Sequence, residues 1–267
     1  MLSPFYRKIN QLTLSPIGLG TVKFGRNSGV KYPDAFSLPD DDAVSNLLAQ
    51  AHALGINILD TAPAYGCSEQ RLGQLLKNRH DWIISTKVGE QFNHAQSSFD
   101  FSAKAVRASI QRSLTRLRTD YLDIVLIHSD GNDLDILHHH ETVNTLKQLQ
   151  KQGLVRHIGL SGKTIEGGIA ALRQYNMDFA MITYNPVQPT ERAVIEVAAH
   201  LHKGTLVKKA FASGHLDQLG DNPIQTTMDF IFAEPVTSVI VGTINPVHLQ
   251  ENVQAAVQAL SADEATG

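Results

Sequence analysis

Two kinds of segment alternate along this chain of 267 residues. Short apolar runs of strand length recur, and amphipathic segments with a period of 3.6 residues separate them. The runs mostly lack polar alternation, which indicates strands buried on both faces. The eight predicted strands are Ile17–Thr21, Ile56–Asp60, Trp82–Lys87, Leu122–His128, Val155–Ser161, Phe179–Tyr184, Leu206–Ala210 and Ser238–Gly242.

Eight predicted helices follow these strands, among them Asp40–Leu54, Ser102–Leu117 and Pro246–Leu260. Alternating strands and helices imply a parallel sheet with helical connections. Eight units of about 33 residues each favour a closed (β/α)8 barrel. An open dinucleotide-binding sheet would need a third glycine after Gly18-Leu19-Gly20, and none follows at the required spacing. We therefore predict an α/β fold, a TIM barrel that forms a single domain over residues 1–267.

Composition narrows the classes of protein that fit. Hydrophobic residues make up 42% and charged residues 18% of the chain, as in folded globular proteins. The formal charge of −3 leaves no basic excess, so we expect no nucleic-acid or membrane partner. Residues 1–11 lack a signal-peptide pattern, and Cys67 has no second cysteine to pair with. We expect a cytoplasmic protein, and its oligomeric state stays open.

No metal site is predicted. Consecutive side chains of the run His138-His139-His140 point in different directions, so the run is interpreted as a surface turn before a helix.

Four residues of acid–base chemistry cluster at predicted strand ends. Asp60 ends the second strand, Lys87 the third and His128 the fourth, and Tyr65 follows Asp60 on a loop. In a barrel these strand ends share one rim. Taken singly, the aspartate could cap a helix, the tyrosine could pack and the histidine could satisfy loop carbonyls. Together they indicate an active site.

The chemistry of this set is proton donation to an oxygen. A free tyrosine has a pKa of about 10, so Tyr65 needs a nearby cation such as Lys87 to stabilise its phenolate. Asp60 would keep Lys87 charged and oriented, and His128 could hydrogen-bond the reacting oxygen or Tyr65. The set could donate a proton to a carbonyl oxygen as a hydride reaches the carbon.

Several motifs in the sequence resemble the aldo-keto reductase family. They run in the family's order from about Ile17 to Asn252, and the most specific are Asp60–Gly66 followed by Glu69, Leu72 and Gly73, then Ile84–Gly89, Leu126–His128 and Gly153–Ser161. The resemblance implies a (β/α)8 barrel that binds NADPH, or in some members NADH. It also implies Tyr65 as proton donor, Asp60 and Lys87 as residues that tune it, and His128 as the residue that orients the carbonyl.

The resemblance further implies a set of cofactor-binding positions. They are Gly20, Thr21, Val22, Asp60, Ser161, Gly162, Met181, Tyr184, Lys208, Phe211, Ser213, Gly214, Gly242, Thr243, Asn245, His248 and Asn252. Within this set, Ala212–Leu216 resembles the loop over the pyrophosphate, and Gly242–Asn252 resembles the segment at the adenosine phosphate.

The chain departs from the family pattern where the nicotinamide would lie. Gly162 replaces an asparagine, Met181 a glutamine, and Lys208 the aromatic residue that stacks on the ring. A lysine there would disfavour the positively charged oxidised ring, which predicts a bias towards carbonyl reduction. The alternative is that Lys208 points elsewhere and another side chain holds the ring.

The segment at the adenosine phosphate bears on the choice of cofactor. Gly242 and His248 stand where many relatives carry a lysine and an arginine. Relatives in which this segment begins with Gly-Thr, as Gly242-Thr243 does here, commonly use NADPH, so we expect NADPH in preference to NADH.

The substrate is expected to be a small aldehyde or ketone. The predicted pocket residues are Val22, Phe24, Tyr65, Phe92, His128 and Ser129. Residues Ser261–Gly267 are expected to be all that follows the last helix, so a long covering loop is expected to be absent and specificity loose. Two other functions stay open: a cofactor-binding redox sensor or partner-binding module of the same fold, and a lyase that uses Lys87 as a Schiff-base amine.

Overall fold

The structure is a computed structural model and describes residues 2–30, 35–214 and 221–264. His215 and Leu216 of the predicted pyrophosphate loop lie outside these ranges, as does the end of the tail. The described strands are β1 (Arg7–Ile9), β2 (Leu12–Leu14), β3 (Ile17–Gly20), β4 (Ile58–Asp60), β5 (Ile83–Val88), β6 (Glu90–Asn93), β7 (Gln96–Phe99), β8 (Leu122–His128), β9 (Val155–Ser161), β10 (Phe179–Thr183), β11 (Gly204–Lys208) and β12 (Ser238–Val241).

Eight of these strands close into a parallel barrel, which confirms the predicted (β/α)8 fold. Their order around the barrel is β3, β4, β5, β8, β9, β10, β11 and β12, and β12 pairs back with β3. Register sets the site directly: Asp60 on β4 pairs with Ser85 on β5, and Lys87 on β5 pairs with Leu126 on β8. Side chains near these positions therefore meet at the end of the barrel where the strands finish.

Helices follow the barrel strands and cover the outside of the barrel. They are α1 (Asp41–Ala53), α2 (Ser68–Leu75), α3 (Ala103–Leu117), α4 (Asp133–His139), α5 (Thr142–Lys151), α6 (Ile165–Arg173), α7 (Arg192–His200), α8 (Pro223–Phe232) and α9 (Pro246–Glu264). Local signals set several starts: Asp40 and Ser102 accept hydrogen bonds from the backbone N–H three residues later. Within the described ranges, no helix has the length and apolarity needed to cross a bilayer.

The structure differs from the sequence prediction at several elements. The hairpins β1–β2 and β6–β7 were not predicted, because their short strands carry little apolar periodicity. His138 and His139 lie in the last turn of the unpredicted helix α4, so the predicted surface turn is wrong there. Strand β11 ends at Lys208, and Lys209 has a left-handed φ of 54°, so the strand ends two residues earlier than predicted. Helix α9 continues to Glu264, beyond the predicted end at Leu260.

Two apolar layers stabilise the barrel. One lies between the strands and the outer helices, and the other fills the barrel interior. The interior cluster comprises Leu12, Leu14, Ile58, Ile124, Leu126, Phe179, Met181, Leu206 and Ile240. Because Leu12 and Leu14 belong to it, hairpin β1–β2 closes the end of the barrel where the strands begin. The opposite end stays open for the site.

A buried carboxylate ties the elements behind the site together. Glu69 on α2 is fully buried and accepts hydrogen bonds from the hydroxyls of Thr86 on β5 and Ser113 on α3, each at 2.7 Å. Arg116 Nη1 lies 3.3 Å from its other oxygen. A buried charge is tolerated only when it is paired and hydrogen-bonded, so these three donors make Glu69 a link between α2, β5 and α3.

We predict that Glu69→Ala lowers the free energy of unfolding by about 3–5 kcal/mol, because it leaves buried donors without their acceptor. Urea denaturation followed by circular dichroism measures the change. Gln70→Ala, on the same helix but exposed, is the matched control and should change stability by no more than about 0.5 kcal/mol. Equal effects of the two substitutions would contradict the role given to Glu69.

Candidate active site

A cavity of about 990 Å³ opens at the end of the barrel where the strands finish. Asp60, Tyr65 and His128 line one part of it, and His248 and Asn252 line another part. Its volume lies at the upper end of the range for small-molecule sites, which is about 300–1,000 Å³. The cavity is therefore large enough for an extended ligand.

Lys87 and Asp60 form a buried ion pair next to this cavity. The Lys87 ammonium lies 2.7 and 2.8 Å from the two Asp60 oxygens and donates a further hydrogen bond to the Thr61 carbonyl at 2.9 Å. Their side chains are 2% and 6% exposed. Burial is the largest single effect and would lower the pKa of Lys87, but the charges of and hydrogen bonds to Asp60 and Tyr65 together outweigh it and raise this pKa above its ordinary value. Lys87 is thus held as a cation.

The loop that carries Tyr65 is fixed by short contacts. Ser68 donates hydrogen bonds from its hydroxyl to Thr21, and its own backbone N–H donates to the Tyr65 carbonyl at 3.2 Å. Gly66 has a φ of 61°, and a side chain there would come within 2.0 Å of the Gly25 carbonyl. Only glycine fits this approach, so residue 66 determines how closely the loop packs against Gly25, in the segment that follows β3.

Tyr65 lies between Lys87 and His128. The Lys87 ammonium is 4.8 Å from the centre of the Tyr65 ring, and the Tyr65 and His128 rings meet edge to face at 6.5 Å. Burial is the largest effect on Tyr65 and raises its pKa. The charge of Lys87 lowers this pKa and the charge of Asp60 raises it, so that the pKa lies above its ordinary value. The phenol therefore carries its proton at neutral pH, and the lysine is placed to stabilise the phenolate left after the proton departs.

His128 also faces a residue that the sequence did not indicate. Its Nδ1 lies 2.7 Å from Glu90 Oε2, the carboxylate at the start of β6. The contact is close, although the N–H direction is too bent for a linear hydrogen bond, which leaves Nδ1 buried without another partner among the described residues. Burial, together with the charges of Lys87 and Lys208, lowers the pKa of His128 despite the opposing effect of Glu90. His128 is therefore neutral at physiological pH.

Lys208 points into the cavity towards β9. Its ammonium donates to the Ser161 hydroxyl at 3.0 Å and to the Gly162 carbonyl at 2.8 Å. Burial lowers the pKa of Lys208 to about 8, against the raising effect of Glu191. Lys208 thus titrates near physiological pH while in contact with two of the positions implied for the carboxamide.

Most of the cofactor positions implied by the resemblance line this cavity. They are Gly20, Thr21, Val22, Asp60, Ser161, Gly162, Lys208, Phe211, Ser213, Gly214, Gly242, Thr243, His248 and Asn252. Three others do not line it. Met181 is 2% exposed in the barrel interior, Tyr184 stacks on Phe230 at 4.9 Å, and the Asn245 side chain accepts from the Val247 N–H at the start of α9.

The predicted substrate positions divide in the same way. Val22, Tyr65 and His128 line the cavity. Phe24 does not, because its side chain is fully buried in the core. Phe92 packs under the Arg26 guanidinium at 3.3 Å from the ring centre. The buried Ser129 hydroxyl donates to Asp133.

Two carboxylates of the site, Glu90 and Glu191, were missed by sequence reasoning. Glu90 lies one residue beyond the motif that ends at Gly89, on a hairpin without periodic signal. Glu191 is buried beside the cavity and accepts a hydrogen bond from the Thr183 N–H at 3.1 Å. Their positions in the sequence could have indicated them, because both residues lie in segments that follow barrel strands, where the active sites of such barrels are found.

Comparison with known proteins gives a consistent result. The aldo/keto reductase family model matches residues 16–225. The crystal structure of PA4992 from Pseudomonas aeruginosa, which is described as an aldo-keto reductase, superposes with a TM-score of 0.88 at 51% identity, over 97% of this chain and 98% of that one. The uncharacterised oxidoreductase YqkF of Bacillus subtilis is 26% identical over 92% of this chain and 89% of its own.

L-galactose dehydrogenase of Arabidopsis thaliana is 38% identical over 58% of this chain and 47% of its own, so this chain spans about half the length of that relative. The matched family model spans most of the chain, including the segment from Asp60 to His128 that forms the ion pair and its neighbours. The chain belongs to the aldo/keto reductase family of oxidoreductases.

Proposed function

We propose that this protein reduces a small aldehyde or ketone to an alcohol with a nicotinamide cofactor, and that Tyr65 donates the proton. One observation carries the proposal: a buried Lys87–Asp60 ion pair lies beside a protonated tyrosine at the wall of a large cavity. A structural tyrosine needs no such pair. Groups of this kind stabilise charge that develops on oxygen during reaction.

The cavity supports an extended nicotinamide cofactor. Gly20 and Thr21 would lie beside the nicotinamide and Ser161 beside its carboxamide, while Ser213 and Gly214 offer small side chains and backbone N–H groups for the pyrophosphate. When bound, the cofactor supplies the hydride that the carbonyl carbon receives.

The protein's own contribution is to hold and move one proton. Tyr65 donates a hydrogen bond to the carbonyl oxygen and transfers its proton as negative charge develops there. Lys87 stabilises the resulting phenolate, and Asp60 keeps the lysine charged although it is buried. Solvent at the cavity returns a proton to Tyr65.

We predict that Tyr65→Phe reduces kcat by about 10²–10⁴-fold, because the phenol is the proton donor, and leaves NADPH binding nearly unchanged. NADPH oxidation at 340 nm with a panel of aldehydes measures turnover, and fluorescence titration measures binding. Tyr175→Phe, on a tyrosine remote from the cavity, is the control. Tight NADPH binding by the wild type without turnover would contradict the reductase and support a redox sensor.

NADPH is the proposed cofactor in preference to NADH. Thr243, His248 and the start of the long helix α9 lie together at the cavity. The positive end of a helix favours a phosphate by about 1 kcal/mol, even without the basic residues that many relatives carry. A 2′-phosphate distinguishes the two cofactors and fits this end of the cavity.

We predict that NADPH binds roughly three- to tenfold more tightly than NADH, as one phosphate at a helix N-terminus allows. Quenching of protein fluorescence by each cofactor measures both dissociation constants. His248→Arg should widen the difference, because a guanidinium holds phosphate in a bidentate manner and neutral imidazole does not. Tighter binding of NADH by the wild type would show that this assignment is wrong.

Lys208 adds a charge close to the proposed nicotinamide position. Its hydrogen bonds to Ser161 and Gly162 keep the ammonium at the cavity wall. A cation there disfavours the positively charged oxidised ring relative to the neutral reduced ring. The charge therefore favours reduction of the carbonyl over oxidation of the alcohol.

We predict that this preference depends on pH. Lys208 has a pKa of about 8, so its charge is present below pH 8 and lost as pH rises through that value. The ratio of the NADP⁺ to the NADPH dissociation constant should fall by up to about tenfold between pH 7 and 9, equivalent to about 1.4 kcal/mol. Lys208→Met should show a low and flat ratio, and Lys208→Arg a high and flat one. A wild-type ratio that matches Lys208→Met at pH 7 would contradict the hypothesis.

A further inference from the structure

Two of the three N–H positions of the Lys208 ammonium face β9. They donate to the Ser161 hydroxyl at 3.0 Å and to the Gly162 carbonyl at 2.8 Å. Both acceptors are neutral, and within the described ranges no third acceptor and no carboxylate lies within bonding distance of the nitrogen. Because Lys208 is part of the cavity wall, the remaining position on the nitrogen is left for a ligand in the cavity.

Lys87, the other buried lysine of the site, has no such free position. Its ammonium meets three acceptors, which are the two Asp60 oxygens and the Thr61 carbonyl, at 2.7, 2.8 and 2.9 Å. An ammonium group has three donors and no lone pair, so it cannot attack a carbonyl carbon. The ion pair therefore argues against Lys87 as a Schiff-base amine, whereas the surroundings of Lys208 leave its nitrogen accessible.

The surroundings of Lys208 also leave part of it unprotonated near neutral pH, because burial lowers its pKa to about 8. Glu191 opposes this effect. Its carboxylate accepts a hydrogen bond from the N–H of Thr183, which pairs with Lys208 across β10 and β11, but it forms no ion pair with the ammonium. A desolvated lysine beside other cations is an activated nucleophile. The charged and titratable groups around the amine are Glu191 before α7, Asp133 on α4, Lys87 on β5, His128 on β8 and the neighbouring Lys209.

We propose that Lys208 captures an aldehyde in the cavity by forming an imine. The lone pair of the amine attacks the carbonyl carbon, and the carbonyl oxygen takes up a proton and becomes a hydroxyl group. The nitrogen then expels this hydroxyl as water, and a C=N bond replaces the C=O bond. The two protons that the amine loses leave with the oxygen of the aldehyde as one water molecule, so the step needs no oxidant or reductant.

The imine has a consequence for cofactor binding, and here the inference rests on the proposed function. The captured carbon chain would lie beside Ser161 and Gly162, where the nicotinamide carboxamide is proposed to bind. Imine and cofactor then compete for one place. An aldehyde that enters before the cofactor is held at Lys208, and a bound cofactor protects the amine.

Reductive trapping tests the imine without any turnover. The cofactor-free protein is incubated with propanal and sodium cyanoborohydride, which converts an imine to a stable propyl-lysine, and peptide mass spectrometry locates the modified residues. We expect Lys208 to be labelled about tenfold or more faster than Lys104 on the surface and Lys163, an exposed lysine of the same cavity. In the intact protein this fast addition should be lost in Lys208→Arg and kept in Lys163→Arg. Labelling of Lys208 no faster than that of Lys104 would overturn the proposal.

Trace acetylation with acetic anhydride over a pH series tests the state of the amine separately. The labelling of Lys208 should rise with a midpoint at about pH 8. The midpoint should move to lower pH in Glu191→Gln, because the anion that raises it is gone, and stay in place in Glu196→Gln, on an exposed glutamate of α7. A wild-type midpoint near that of an ordinary lysine, about 10.4, would overturn the proposal because the amine would then be charged.

A third measurement separates the imine from the proposed function. NADP⁺ gives propanal no hydride, and at about ten times its dissociation constant it should slow the trapping at Lys208 by roughly tenfold. Fast trapping that bound NADP⁺ leaves unchanged would contradict the proposed place of the nicotinamide and support the imine alone. Slow trapping in the cofactor-free protein would overturn the imine even if NADPH reduces propanal.

Discussion

The chemistry of the site depends on the buried contact between Lys87 and Asp60. Two charges this close inside a protein attract strongly, but each loses its hydration, so the pair persists only where the geometry is good. Here both Asp60 oxygens and the Thr61 carbonyl lie within 2.9 Å of the ammonium. The pairing of β4 with β5 brings the two chain segments together, and removal of either partner would leave an uncompensated charge. The register of β4 and β5 therefore fixes the ion pair on which the chemistry of the site depends.

A similar arrangement recurs around the rest of the rim. The cation or imidazole at each of three strand ends faces a carboxylate from another segment: Lys87 faces Asp60, His128 faces Glu90, and Lys208 experiences the charge of Glu191. The three differ in burial and hydrogen bonding, so their proton affinities move in different directions. At physiological pH Lys87 is charged and His128 is neutral, whereas Lys208 has a pKa of about 8 and titrates nearby. One rim thereby presents a fixed cation, a neutral imidazole and a titrating charge to the same cavity.

Sequence reasoning predicted the barrel because eight strands buried on both faces produce short apolar runs without polar alternation, and amphipathic helical segments separate them. It also placed Asp60, Lys87 and His128 at one rim, since strand ends follow directly from those runs. Phe24 and Ser129 were expected in the pocket, but the structure buries both, because the direction of a side chain in a loop depends on tertiary packing. Glu90 escaped notice for a related reason: the strand that carries it has no apolar periodicity.

The exchange of an aromatic ring for Lys208 changes the kind of discrimination that the site can make. A stacked ring contributes dispersion and area burial to the binding of both the oxidised and the reduced nicotinamide. A charge distinguishes them, because one form is a cation and the other neutral. Burial brings the pKa of Lys208 to about 8, so the discrimination is graded by pH rather than permanent. The hydrogen bonds to Ser161 and Gly162 hold the ammonium in place. Under the proposed function, the substitution would therefore favour reduction without a mobile cation in the cavity.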